Sequence, residues 1–214
     1  MKKYIVTGAG QGIGHQIAQQ LMAEGHVVLV NDIDASLLKG TYVKAGDVSS
    51  PAFIQELVAY AETLPGDLAG CVCNAGVTTF GSFWDYSPAS MKSLLDLNIQ
   101  GTFFLIQEVA KTIRKAGNPG SIVVTSSVTG HQAHPDLAAY GMTKAALNQL
   151  VQNLVIDLSP VQIRINAVSP GATMTERTEK DENYLLEWSR LTPLGKPADV
   201  QGLRLECQSP SPLR

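Results

Sequence analysis

The chain has 214 residues, of which 44% are hydrophobic and 16% charged. This is most simply one domain with a sizeable core, and it excludes a disordered chain. The formal net charge is −3 with no run of Lys or Arg, so nothing points to nucleic acid or an anionic membrane, and no apolar stretch approaches a membrane span.

The first apolar run, Tyr4-Ile5-Val6, reads as a strand. Lys2-Lys3 before it imitates a secretory leader, but the run stops at Gly8, too short for an apolar leader core. Thr7-Gly8-Ala9-Gly10-Gln11-Gly12-Ile13-Gly14 follows, and then Ile17, Ala18, Leu21 and Met22 recur at helical spacing. A strand passing through glycines into a helix presents backbone N–H groups at a positive helix end, which suits a phosphate. The spacing is G-x-x-x-G-x-G at Gly8, Gly12 and Gly14; G-x-G-x-x-G fits in no frame. A plain tight turn would use the same residues.

After Gly25, His26 to Val30 is a continuous apolar strand, as expected when both faces are buried in a parallel sheet. It ends in Asn31-Asp32. An acid there can accept hydrogen bonds from both adenosine ribose hydroxyls and repel a 2′-phosphate, favouring NAD over NADP. A solvated turn or cap acid is the other reading, with Asp34 nearby. Ala35 to Lys39 allows little more than one helical turn, and Thr41 to Ala45 reads as a modest third strand. Asp47-Val48 follows, where a side chain could meet adenine. Ser49-Ser50-Pro51 opens a helix carrying Phe53, Ile54, Leu57, Val58 and Ala61, which stops before Pro65-Gly66.

Leu68 to Cys73 is the fourth strand, ending in Asn74-Ala75-Gly76. Cys71 and Cys73 share one face of it and read as packed core thiols. With Cys207 they make a sparse, odd set that suits a reducing cytoplasm better than a disulfide framework. Ser87-Pro88 opens a helical region in which Asn98 is a polar residue among Leu94, Leu95, Leu97 and Ile99. It could bond local backbone and bend the helix. Another helix spans about 102–115. Gly120 to Thr125 is the fifth strand, closing with Ser126-Ser127. Tyr140 and Lys144 follow, sharing one helical face at i and i+4. A free phenol has a pKa of about 10, and a neighbouring ammonium or an oxidised nicotinamide favours the phenolate. His131 and His134 could tempt a metal reading, but no further ligand is spaced to join them, so the pocket wall is their expected place.

In this order the residues Thr7 to Gly14, Asp32, Asn74-Ala75-Gly76, Asn98, Ser127 and Tyr140–Lys144 strongly resemble the short-chain dehydrogenase/reductase family. The resemblance spans roughly 1–202. Arg164 to Gly171 looks like the family's sixth strand and following turn, and Lys196-Pro197-Ala198-Asp199-Val200 like the start of its last helix. It implies one Rossmann-like α/β domain, a doubly wound parallel sheet with helices on both faces, and an NAD-dependent oxidoreductase acting on an alcohol or carbonyl. Tyr140 would be the general acid or base. Lys144 would bind the nicotinamide ribose and assist Tyr140. Ser127, rather than Ser126, would bond the substrate oxygen, and Asn98 would hold a water in a proton relay. Gly8, Gln11, Gly12, Ile13 and Gly14 would contact the diphosphate and its ribose, and Asp47 and Val48 the adenine. Asn74, Ala75 and Gly76 would line the channel. Beyond Pro170 and Gly171, the Thr173 backbone and Thr175 hydroxyl would hold the carboxamide.

The helix over 137–158 is apolar on more than one face, which suggests a partner subunit, although a fully buried helix would look the same. Family members commonly pair through it and the helix before it, as dimers or tetramers. Residues Met174 to Leu194 would form a lid, charged in front (Glu176 to Glu182) and apolar behind (Tyr184, Leu185, Leu186, Trp188). A solvated surface helix would account for its charges equally. Residues 203–214 depart from the family, with two prolines where a final central strand would lie. The expectation is a truncated or frame-shifted end, with the final strand missing. Two functions therefore stand: an active NAD-dependent oxidoreductase, or an NAD-binding protein without turnover.

Overall fold

A computed structural model describes residues 1–200 of the chain. The apolar runs become strands β1 (Lys2–Thr7), β2 (Val27–Asn31), β3 (Tyr42–Val43), β4 (Asp67–Cys73), β5 (Gly120–Thr125) and β6 (Ile163–Val168). All neighbours are parallel, in the order β3-β2-β1-β4-β5-β6. The order reverses at β1, whose two neighbours are β2 and β4. That is where an open parallel sheet leaves a crevice at the carboxyl ends of its strands.

Among the described residues six α-helices accompany the sheet: α1 (Gly12–Ala23), α2 (Pro51–Thr63), α3 (Pro88–Leu94), α4 (Thr102–Ala116), α5 (Ala138–Leu158) and α6 (Glu182–Leu191). Strand side chains alternate between the two faces. Ile5, Leu29, Cys71, Cys73, Ile122 and Val124 enter a core with Ile54 and Leu57 of α2, Val109 and Ile113 of α4, and Leu147 and Val151 of α5. Tyr4, Val6, Val28, Val30, Val72 and Val123 enter a second core with Ile17, Ala18 and Leu21 of α1. The sheet is thus doubly wound and Rossmann-like, as expected. The Cys71 and Cys73 sulfurs lie buried 3.6 Å apart.

Three stretches differ in detail from expectation. β3 is two residues long, not five. Past Val43, the Lys44 and Gly46 amides still donate to the Val30 and Asp32 carbonyls at 3.1 and 3.0 Å, and the Asn31 side-chain amide donates to the Lys44 and Gly46 carbonyls at 2.9 and 3.1 Å. Asn98 lies in a π-helical turn, Leu95–Gly101, joining α3 to α4, so the expected bend is a local change of helical pitch. Lys196–Val200 turns helical only at Val200, after an extended stretch. Pro197 favours an extended residue before it, and Ala198–Asp199 (β8) pairs with Thr173–Met174 (β7), with the Ala198 N–H on the Ala172 carbonyl at 2.8 Å. The expected departure at 203–214, the missing final strand and Cys207 lie outside the described residues.

The α5 helix buries Thr143, Lys144, Leu147 and Val151 but leaves Met142, Val155 and Ile156 exposed, so it is not a fully buried helix. Among the described residues no helix is long and apolar enough to cross a membrane.

Candidate active site

The carboxyl ends of β1, β2, β4 and β5 open on one cleft of about 830 Å³. Its rear wall is the glycine loop between β1 and α1. Gly8 adopts φ +62°, and a Cβ there would lie 2.9 Å from the Ala75 Cα; a Cβ on Gly14 would lie 2.3 Å from the Gly8 carbonyl oxygen. Only glycine permits this close approach of loop, helix and β4. Two polar side chains brace it. The Thr7 hydroxyl accepts from the Asn74 and Ala75 amides, each at 3.2 Å, and the Asn74 amide donates to the Thr7 and Gly8 carbonyls. Thr125 at the end of β5 donates to Asn74 Oδ1 at 3.3 Å. No sequence signal marks this bracing by Thr7 and Thr125, because it joins strands distant along the chain.

Gly8, Gln11, Ile13, Asp32, Asp47, Val48, Asn74, Ala75, Gly76, Pro170, Gly171, Thr173 and Thr175 line the cleft, together with Ser127, Tyr140 and Lys144. Gly12 and Gly14 are buried behind the surface, and Asn98 sits behind Gly76. Asp32 accepts from the Gly10 amide at 3.0 Å through Oδ2, which turns the carboxylate toward the loop. The glycine cradle, the first turn of α1 and the acid at the end of β2 fit a dinucleotide in size and donor arrangement.

At the inner end of the cleft, Lys144 is 4% exposed. Its Nζ donates to the Thr125 carbonyl at 2.7 Å and stands 5.6 Å from the centre of the Tyr140 ring. Burial pushes the ammonium down to about 8, because the charged form loses solvation. The Ser127 hydroxyl accepts from the Thr129 amide at 3.2 Å and the Thr129 hydroxyl at 3.0 Å, which leaves its own proton to donate into the cleft. Ser126 instead donates to the Lys144 carbonyl at 3.0 Å and anchors α5 to β5. Asn98 is clamped: Oδ1 accepts from the Val77 amide at 2.9 Å, while Nδ2 donates to the Val77 carbonyl and the Thr143 hydroxyl. It fastens the π-helical turn to the strand end beside Lys144.

The histidines stand apart from the cleft lining. His131 bonds Ser169 and Asn148, each at 3.1 Å, and His134 stacks on Trp188 with ring centres 5.5 Å apart. Both border a neighbouring hollow of about 400 Å³. Among the described residues no group of three or more His, Cys, Asp or Glu is placed to hold a metal.

In the expected lid segment, Thr178–Lys180 forms a 3₁₀ turn before α6. Three of its side chains reach the site. Glu176 Oε2 accepts from the Gly12 amide at 2.8 Å. The Tyr184 hydroxyl accepts from the Thr173 amide at 3.1 Å and donates to the Thr173 carbonyl at 3.4 Å. The Thr178 hydroxyl donates to the Thr173 carbonyl and lies 3.3 Å from the Thr175 hydroxyl. Only the charged and apolar halves of this segment were legible in sequence.

Residues 2–184 match the family model described as short chain dehydrogenase. The chain is 30% identical over 197 residues to a diacetyl reductase [(S)-acetoin forming] of Staphylococcus epidermidis, covering 87% of this chain and 77% of that one. It is 31% identical over 220 residues to an L-rhamnose 1-dehydrogenase (NAD(P)(+)) of a Sphingomonas species, covering 94% and 86%. Among solved structures, a short-chain type dehydrogenase/reductase from Mycobacterium marinum superimposes with a TM-score of 0.86 at 29% identity, covering 94% of this chain and 84% of that one.

Proposed function

The chain belongs to the short-chain dehydrogenase/reductase family of oxidoreductases, and we propose that it transfers a hydride between NAD and a small polar alcohol or carbonyl compound. The observation that carries this reading is the meeting of Ser127, Tyr140 and Lys144 at one end of a cleft whose other end is the glycine loop and Asp32. When bound, the nicotinamide cofactor supplies or accepts the hydride. The protein's part is placement and a proton. Tyr140 gives its phenolic proton to the substrate oxygen in reduction and takes one in oxidation. Ser127 donates a second hydrogen bond to that oxygen, where charge builds in the transition state. Lys144, buried and held by the Thr125 carbonyl, puts a positive charge beside the phenol. Asn98 keeps the turn behind Lys144 in place. Gly8, Gln11, Gly12, Ile13 and Gly14 would bind the diphosphate and its ribose, Asp32 the adenosine ribose, and Asp47 and Val48 the adenine.

The names of the diacetyl and L-rhamnose relatives support a small hydroxy-ketone or sugar as substrate. The exposed apolar residues of α5 support a homodimer or homotetramer, and the sparse, odd set of three cysteines supports a cytoplasmic setting. The intact set at the cleft favours turnover over cofactor binding alone.

The test is Tyr140→Phe, assayed by NADH fluorescence over a panel of hydroxy-ketones, sugars and polyols. Turnover should fall by roughly 100-fold or more, the range for losing a general acid–base, with NADH affinity kept. Undiminished turnover would remove Tyr140 from the chemistry.

A further inference from the structure

We propose that Glu176 and Tyr184 set the cofactor affinity of this protein by occupying, from the lid, the backbone groups a nicotinamide dinucleotide must use. The proposal rests on the cofactor reading above. Its ground is a match of charge and hydrogen-bonding type at two separated points. At one end, the Glu176 carboxylate takes the Gly12 amide at 2.8 Å. That N–H belongs to the first turn of α1, where an anionic diphosphate would sit. A carboxylate is the protein's own nearest equivalent of a phosphate oxygen, and two anions cannot share the donor. At the other end, the Tyr184 hydroxyl accepts from the Thr173 amide and donates to the Thr173 carbonyl. A primary carboxamide offers the same pairing of one acceptor and one donor. Thr178 completes the set by donating to the Thr173 carbonyl at 3.1 Å and contacting Thr175.

Both contacts come from a single short segment, so the lid stands in for two polar groups of the cofactor, its central diphosphate and its terminal carboxamide. Two supports hold it there. Trp188 of α6 stacks on His134, and Tyr184 lies against Trp188 with ring centres 6.0 Å apart. The closed lid satisfies backbone groups that would otherwise face the cleft unpaired. Cofactor binding therefore exchanges one set of partners for another. The measured affinity is the intrinsic one reduced by the fraction of molecules whose lid has let go.

The experiment compares wild type, Glu176→Ala and Tyr184→Phe by two readouts. The first, made without ligand, is hydrogen exchange of the segment 173–191. Exchange should rise in Glu176→Ala, because the lid loses its tie to α1. The second is fluorescence titration with NADH, and for Glu176→Ala also with ADP-ribose. Affinity should tighten by about 5- to 10-fold in each variant, the effect expected when one competing charge-assisted or paired hydrogen bond is removed. Unchanged exchange in Glu176→Ala, or affinity that is unchanged or weaker in both variants, overturns the proposal. If neither wild type nor variants bind any dinucleotide, the cofactor reading fails and the competition fails with it. Raised exchange in the same samples would then show that the lid contact itself is real, so the two failures are told apart.

Discussion

Asp32 is the residue on which cofactor choice turns. Its Oδ2 is already tied to the Gly10 amide at 3.0 Å, so the carboxylate is fixed at the end of β2 with its remaining lone pairs available to ribose hydroxyls. Asp32→Ala should lower the ratio of NAD to NADP efficiency by about 10-fold or more, the scale of one hydrogen bond to a charged group. Steady-state kinetics with both cofactors checks this, and an unchanged ratio would take Asp32 out of the ribose site. Lys144 carries a different consequence. Its folded pKa of about 8 lies below the usual lysine value because burial disfavours the ammonium. Between pH 8 and about 10 the unfolded chain therefore holds a proton that the folded chain has released, and stability rises with pH across that window. Lys144→Met should remove roughly 2 kcal/mol of the gain between pH 8 and 9.5, measured by urea unfolding without cofactor. Lys3 shifts in the same direction through burial and remains in both forms, so it cancels in the comparison.

Among the elements, α2 shows how a local signal becomes a tertiary one. The Ser50 side chain accepts from the Phe53 amide at 3.4 Å, and Pro51 occupies the first turn. Ile54, Leu57, Val58 and Ala61 then reach the core at helical spacing. Ser50→Ala should destabilise the fold by about 1 kcal/mol, the usual effect of losing an N-cap oxygen, read as a shift in urea midpoint at constant m-value. The π-helical turn Leu95–Gly101 is the contrasting case. Its extra width lets Asn98 bond the Val77 amide and carbonyl and also the Thr143 hydroxyl. That geometry ties α3 and α4 to α5 immediately behind Lys144. In sequence Asn98 could be given a bend and a relay water but not these partners, since neither Val77 nor Thr143 is near it along the chain.

For the whole molecule, the cleft exists because the strand order reverses at β1 and all six strands of the main sheet point the same way. Residues separated by more than a hundred positions, Gly8 and Tyr140 among them, then face one space. The surface away from the cleft has its own consequence. On α5, Ile156 is 77% exposed and Met142 50%, with Phe103 of α4 at 39%. Apolar side chains at such exposure are readily covered by a second copy of the chain. Ile156→Glu should shift the protein toward monomer in sedimentation-velocity runs across a concentration series, and an unchanged distribution would place any self-association elsewhere.

The roles of Asn98, Ser127, Thr173 and Thr175 came with the family resemblance, but the order of elements, the buried parallel strands, the glycine loop and the Tyr140–Lys144 pair were legible in the residues themselves. Each rests on short-range signals: continuous apolar runs for buried parallel strands, glycines where backbone must approach backbone, and an i to i+4 pair on one helix. What folding alone decided are contacts between segments far apart in the chain. The Asn31 side chain ties down the backbone that follows β3, the Ala172 carbonyl draws Ala198–Asp199 into a strand, and Thr7, Asn74 and Thr125 brace the glycine loop. The lid's Glu176 and Tyr184 likewise come to rest on Gly12 and Thr173. Such hydrogen bonds leave no periodicity in sequence, because they follow from which backbone donors and acceptors remain unpaired once the sheet has formed.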